Sequence, residues 1–184
     1  MDTLGLVESR SIAAGALLAD HMVKKADVKL LKASTICPGR FMIHIEGERD
    51  AVETSVLFAR NFDFSLAGSF ILSNVSSQVI LALKQKHEIK YGDAVGIVES
   101  KTAVSGIVAA DKAVKQATVK LARLVTANGI CGKSYFIISG NTSSVEEATE
   151  VSKEILGNNL IEAVVLSSPD PYVVSALTGG LSKL

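Results

Sequence analysis

The sequence predicts an α/β protein made of two tandem copies of one small α+β sandwich, each with strand and helix order βαββαβ. Three observations carry this. A block of the first half recurs in the second at a fixed offset; apolar residues alternate between periods of two and of 3.6 along each copy; and both copies place helix-start signals at matching positions. Leu4-Gly-Leu-Val-Glu-Ser-Arg-Ser returns as Val95-Gly-Ile-Val-Glu-Ser-Lys-Thr. About 14 of the 31 positions from Gly5 to Thr35 are identical in the second copy, including Gly15 with Gly106, Asp20 with Asp111 and Lys24 with Lys115. Agreement of that kind at one offset marks a duplicated structural unit. The register slips by two residues around Cys37 and resumes with Gly47 against Gly140, so the slip is expected in a loop.

The elements follow in order. In the first copy the patterns predict a strand at residues 4–8, a helix at 12–26, strands at 28–34 and 40–46, a helix at 51–61, a strand at 69–73 and a short helix at 77–84. In the second they predict strands at 94–99, 118–125, 133–139 and 162–167, with helices at 103–117 and 145–156. Asp50 and Ser143 are expected as N-caps, each with a glutamate three residues later (Glu53, Glu146) as its capping-box partner. The polar stretch 84–93 reads as the connection, which puts the domains at residues 1–90 and 91–184. The first helix of each copy is crowded with small residues: Ala13, Ala14, Gly15, Ala16 and Ala19 in one, Ala103, Gly106, Ala109, Ala110 and Ala113 in the other. These suit tight packing on the helix's own sheet, or a close subunit contact, and the sequence does not separate the two.

Composition narrows the function. The 184 residues are 48% hydrophobic, with 19 basic and 19 acidic residues and no net charge. Nothing is left over to neutralise a phosphate backbone or an anionic lipid surface, so neither nucleic acid nor membrane is an expected partner. Zero net charge also removes the repulsion that keeps proteins apart, which suits assembly. The N-terminal residues show no basic and apolar leader pattern and no apolar run approaches membrane-spanning length, so a cytosolic protein is expected. Cys37 and Cys131 are the two cysteines; with no Cys-x-x-Cys pair, one chain cannot supply a complete cysteine metal site. His21, His44 and His87 share no metal-ligand spacing.

Neither a Ser-His-Asp set, a His-Glu-x-x-His helix nor a phosphate loop is present. A cysteine hydrolase based on Cys37 is the enzymatic reading that remains, but the residues the copies share are apolar, small or capping, as duplication of a scaffold predicts. The chain is read as a non-enzyme. A tandem ferredoxin-like regulatory module binding a small ligand between its repeats is the other alternative.

Gly-Leu-Val-Glu-Ser before an alanine-rich helix, then Met22-Val-Lys-Lys-Ala-Asp-Val-Lys-Leu and a glycine-containing loop, resembles the bacterial microcompartment shell domain, a relative of the ferredoxin-like fold. Both copies carry the pattern in the unpermuted order and it covers essentially the whole chain. The loop Thr35-Ile-Cys-Pro-Gly-Arg-Phe is similar to that of the tandem-domain, trimeric T-type shell proteins of propanediol-utilisation microcompartments. The resemblance implies a homotrimeric, pseudohexameric tile packed edge to edge with other tiles in a microcompartment shell in the cytoplasm. It implies a central pore lined by Ile36, Cys37, Pro38 and Gly39 of one copy and by Gly129, Ile130, Cys131 and Gly132 of the other. It implies that three Cys37 thiolates, one per subunit, hold one [4Fe–4S] cluster on the trimer axis for electron relay across the shell, to an encapsulated or cytosolic redox protein. The rival within the same family is a metabolite-conducting tile whose Cys37 binds nothing. Cys131 aligns with Pro38 and not with Cys37, so it is not expected as an equivalent ligand. Lys24 and Lys115 match the family's tile-edge lysine; read without the family, each is a solvated lysine near a helix C-terminus. Where single-domain tiles carry Pro-Arg-Pro-His, this chain has Asn74-Val-Ser-Ser and Ser168-Pro-Asp-Pro, which lack the planar donor fork of arginine. Edge contacts are therefore expected to be weaker, or reserved for particular neighbours.

Overall fold

The computed structural model describes residues 3–84 and 92–178. The first domain runs β1 (Thr3–Ser9), α1 (Ile12–Lys25), β2 (Lys29–Ile36), β3 (Arg40–Gly47), α2 (Arg49–Asn61), β4 (Leu66–Leu72) and α3 (Ser77–Leu83). The second repeats it as β5 (Ala94–Ser100), α4 (Ala103–Gln116), β6 (Lys120–Thr126), β7 (Ser134–Gly140), α5 (Thr142–Leu156), β8 (Leu160–Ser167) and α6 (Pro171–Thr178). Each domain is one antiparallel four-stranded sheet, ordered β2-β3-β1-β4 and β6-β7-β5-β8. The predicted boundary at residues 90 and 91 lies outside the described residues, as does His87.

Duplication reaches the irregularities of the backbone. The registers shift between Leu30 and Lys32 and again between Leu121 and Arg123, and between Glu8 and Ser9 as between Glu99 and Ser100. The left-handed residues after β4 and β8 are Asn74 (φ 56°) and Ser168 (φ 48°). The two-residue slip falls between the second and third strands of each copy, as expected.

The helix starts differ from the sequence reading. The α2 N-cap is Glu48, which makes no side-chain cap bond, and Glu53 turns to Arg49 at 2.8 Å. The α5 N-cap is Asn141, whose Oδ1 accepts the Ser144 N–H at 2.9 Å and also the Ser143 hydroxyl. Both helices begin earlier than predicted because each strand ends at a glycine and turns at once into helix. Asp50 therefore sits in the first turn, where the positive end of the helix still favours a carboxylate, and Ser143 serves the true cap. The helix α6 was not predicted; its signals are Asp170, which accepts the Tyr172 N–H at 2.8 Å, and Pro171 at the first helical position.

In the first domain, α1 and α2 cover one face of the sheet, burying Val7, Leu18, Met22, Ile43, Ile45, Val52 and Val56. Gly15 permits that approach, since a Cβ there would lie 2.4 Å from the Phe41 Cβ. Gly106 does the same for α4, with Ser134 Oγ only 1.7 Å from where a Cβ would be. The glycines of the small-residue helices thus serve packing on their own sheets. The opposite face of the first sheet, with Leu4, Leu6, Met42 and Leu72, joins α3 and the α4 side of the second domain in one continuous core. The domains are fused through apolar packing and not merely tethered.

Candidate functional site

The turn between β2 and β3 starts from Ile36, which is buried and anchors the strand end. Cys37 is a half-buried free thiol, followed by exposed Pro38 and Gly39. The Cys37–Pro38 peptide is cis, and Gly39 has φ 78°, a region glycine enters without the Cβ penalty. Pro38 cannot rotate about φ, so the thiol is presented by a turn with little backbone freedom.

The matching loop between β6 and β7 is held from within. The Ala127 carbonyl accepts from Gly132 N at 3.1 Å and from Ile130 N at 3.4 Å, while Ala127 N donates to the Lys133 carbonyl at 2.8 Å. Gly129 (φ 76°) and Gly132 (φ 81°) take left-handed conformations, as does Cys131 (φ 54°), whose thiol is exposed.

These loops meet. A Cβ on Gly132 would come within 2.6 Å of the Cys37 carbonyl oxygen and 2.8 Å of Pro38 Cδ, so the second loop seats its glycine on the backbone that carries the first thiol. The structure thus brings Cys37, Pro38 and Gly132 together. Ile130 is half-buried within its own loop, while Gly129 and Gly39 face open space.

At the start of each third strand, in β3 itself or one residue before β7, a cation is tied to the glutamate of the repeated Val-Glu-Ser motif. Arg40 donates to Glu8 at 2.7 Å and Lys133 to Glu99 at 3.0 Å. The repetition of Glu8 and Glu99 signalled this, although no role for them follows from the sequence alone. The pairs brace the strand ends that bracket the loops.

The two edge lysines occupy unequal surroundings. Lys24 pairs with Asp20 on the exposed face of α1 at 2.7 Å. Lys115 pairs with Asp111 and reaches the Ser73 carbonyl at 3.4 Å, while Asp111 Oδ1 accepts the Ser76 N–H at 2.7 Å. Lys115 therefore spans the joint between the two domains.

The two described histidines, His21 and His44, stay apart from the loops. His21 packs tilted against Phe58 and edge-on against Phe62. His44 is buried, with its Nε2 lacking a partner among the described residues. Burial, and after it the nearby Lys32 ammonium, pushes His44 from its ordinary 6.5 down to about 4, so the ring is neutral. It lines a mainly apolar cavity of about 180 Å³ with Leu4, Leu31, Val75, Ile80 and Leu83. Among the described residues, no three His, Cys, Asp or Glu side chains come together as a metal site, and no helix is long and apolar enough to cross a membrane.

Two fused βαββαβ domains sharing one core, whose equivalent loops lie side by side, define a tandem shell-domain protein. Residues 3–79 and 94–169 each match the BMC domain, and the chain belongs to that family, the shell proteins of bacterial microcompartments. It is 38% identical over 159 residues, covering 84% of each chain, to the bacterial microcompartment shell protein PduT of Citrobacter freundii. A crystal structure of a microcompartment protein from Desulfitobacterium hafniense DCB superposes with a TM-score of 0.82 at 36% identity, over 95% of this chain and 98% of that one. A fused permuted hexameric shell protein of the RMM microcompartment shares the fold at a TM-score of 0.63 and 20% identity, over 85% and 84% of the two chains. The family is structural and not catalytic.

Proposed function

We propose that this chain is a structural tile of a microcompartment shell in the cytoplasm: a homotrimer whose six domains form a pseudohexameric ring, packed edge to edge with other tiles. The carrying observation is the seating of Gly132 on the Cys37–Pro38 backbone. Two equivalent loops of neighbouring domains lie side by side, as successive members of a ring around a pore would. In this reading Ile36, Cys37, Pro38 and Gly39 alternate with Gly129, Ile130, Cys131 and Gly132 around the axis. In the same reading Lys24 stands toward the tile edge on the exposed face of α1, and Lys115 where the joint between the two domains reaches that edge.

One chain does not by itself complete a [4Fe–4S] site: Cys37 is a half-buried thiol and Cys131 an exposed one, and among the described residues no three His, Cys, Asp or Glu side chains come together. Three chains around a threefold axis would supply three soft thiolates and leave one iron to an outside ligand. We therefore assign Cys37 as the ligand each subunit contributes. Such a cluster, when bound, supplies a one-electron couple for relay across the shell to a redox protein on either side. Pro38 and Gly39 hold the thiol's turn, and Gly132 backs its carbonyl.

The test is anaerobic purification with iron and sulfide assays and an absorbance spectrum, comparing wild type with Cys37→Ser at equal trimer concentration. One cluster per trimer, lost in the variant, is the expected result. No iron in either protein would overturn the cluster assignment and leave a metabolite-conducting tile.

A further inference from the structure

The two copies diverge beneath their last helices, and the divergence opens a cavity in the first. In the second copy α6 lies down on its sheet. Val174 packs with Val95, Ala122 and Ile137, Leu177 adds to the cluster, and Arg123 donates to the Leu177 carbonyl at 3.1 Å. Val174 and Ala122 are left only 3% and 2% exposed. In the first copy Ile80 stands for Val174, Leu4 for Val95, Leu31 for Ala122, His44 for Ile137 and Lys32 for Arg123. These do not close. Ile80 and Leu31 are 39% and 40% exposed, and with Leu4, Val75 and Leu83 they line the cavity of about 180 Å³.

Missing bulk is not the cause, because Ile80, Leu31 and Leu4 are each larger than their counterparts. The cause is the hold that the second domain has on α3. Val79 and Ala82 enter the core shared by the domains, and the Gln78 side chain donates to the Val119 carbonyl at 3.2 Å and accepts from Leu121 N at 2.7 Å. Drawn that way, α3 leaves its own sheet uncovered below Ile80. The cavity wall carries a buried polar atom without a partner among the described residues: His44, 5% exposed, with its Nε2 unbonded. An unpaired buried imidazole nitrogen is costly, and the second copy has isoleucine in its place. The charged groups lie outside the apolar part, since Lys32 and Lys84 are exposed and Glu46 pairs with Lys29 at 3.3 Å.

We infer that this cavity is a binding site for a small uncharged molecule, with an apolar body of about six to eight heavy atoms and one hydroxyl that hydrogen-bonds His44 Nε2. The size follows from the volume, as a dry aliphatic cavity of about 150 Å³ holds benzene. A hydroxyl suits either tautomer of the neutral ring, since it donates to a bare nitrogen and accepts from an N–H. A carboxylate would give up its hydration to apolar walls. Every wall residue belongs to the first domain, so the site stands independently of the trimeric-tile reading and goes beyond it by giving the protein a small-molecule site away from the loops.

The test is an NMR titration of the full-length protein, labelled on its Ile, Leu and Val methyl groups, with phenol, toluene and benzoate. Phenol carries the hydroxyl, toluene keeps the size without it, and benzoate adds a charge. Phenol and toluene are expected to shift the methyl signals of Leu31, Ile80 and Leu83 and to leave those of Val95 and Val174, in the closed second copy, in place. Benzoate should bind about tenfold more weakly than phenol, or less tightly still. In His44→Ile the preference for phenol over toluene should fall about tenfold, the scale of one neutral hydrogen bond left unmade. Ile80→Phe, which fills the cavity from its half-exposed wall, should weaken both probes with unchanged far-UV circular dichroism. Methyl signals that stay put at millimolar phenol, a preference unchanged in His44→Ile, or benzoate binding as tightly as phenol would each overturn the proposal.

Discussion

Replacing Gly132 by alanine separates the meeting of the two loops from ordinary loop strain. Gly39, Gly129 and Gly132 share nearly the same positive φ, 78°, 76° and 81°. Alanine in that region costs about 1–2 kcal/mol, offset by roughly 0.4–1 kcal/mol from the smaller entropy of the unfolded chain. The net is near 1 kcal/mol at each position. At Gly39 and Gly129 nothing lies within 4 Å of an added Cβ, whereas at Gly132 the Cys37 carbonyl oxygen is 2.6 Å away and Pro38 Cδ 2.8 Å. The obstructing oxygen is backbone, so no rotamer change clears it and the Cys37 turn itself must move. Overpacking of this kind costs a further ~1–3 kcal/mol. For a chain of this length each kcal/mol lowers the melting temperature by about 2–4 °C. At equal protein concentration, Gly39→Ala and Gly129→Ala should therefore melt about 2–4 °C below wild type, and Gly132→Ala, at about 2–4 kcal/mol in all, roughly 4–16 °C below. Iron retained per trimer should fall in Gly132→Ala alone of the two second-loop variants. If Gly132→Ala melts together with Gly129→Ala, the loops do not bear on each other and the argument for adjacent pore loops fails.

Gly106→Ala drives a methyl group into Ser134, whose hydroxyl is held by Ser100 at 2.7 Å and by the Thr102 carbonyl at 3.0 Å. The gain in helix propensity of about 1 kcal/mol is outweighed, and a net loss of roughly 2–3 kcal/mol is expected in urea titration. Adding Ser134→Ala should recover part of it; a purely additive double variant would refute the contact. His44 supplies a pH dependence of definite sign. Below 6.5 the unfolded chain binds a proton that the folded chain refuses until about 4, so stability falls as pH drops through that window, by up to about 1.4 kcal/mol per pH unit. His44→Ile, which copies Ile137 at the matching position of the second sheet, should flatten the dependence of the urea midpoint between pH 7 and 4.5. An unchanged slope would place the titration elsewhere.

Much of this protein is local, and what is local was legible. The repeated Val-Glu-Ser strands, the periodic helices and the Cys-Pro-Gly turn depend on neighbours in sequence, so two copies at one offset sufficed to give the element order and the place of the Cys37 thiol. Helix starts were less legible, because Asn141 and Ser143 are both competent caps of α5, and the choice falls to where the preceding strand lets go.

The surroundings of equivalent residues were not legible at all. Asp20 and Asp111, Lys24 and Lys115, Glu8 and Glu99 stand in nearly the same local sequence, yet one of each pair is much the more buried. Local patterns were enough for the duplicated fold and the thiol-bearing turn. Only the tertiary structure decided which sheet face receives which helix, that Gly132 rests on Cys37, and that His44 is enclosed and neutral. These follow from the packing of one domain on another, and apolar burial is non-directional along the chain, so no local pattern records its partner.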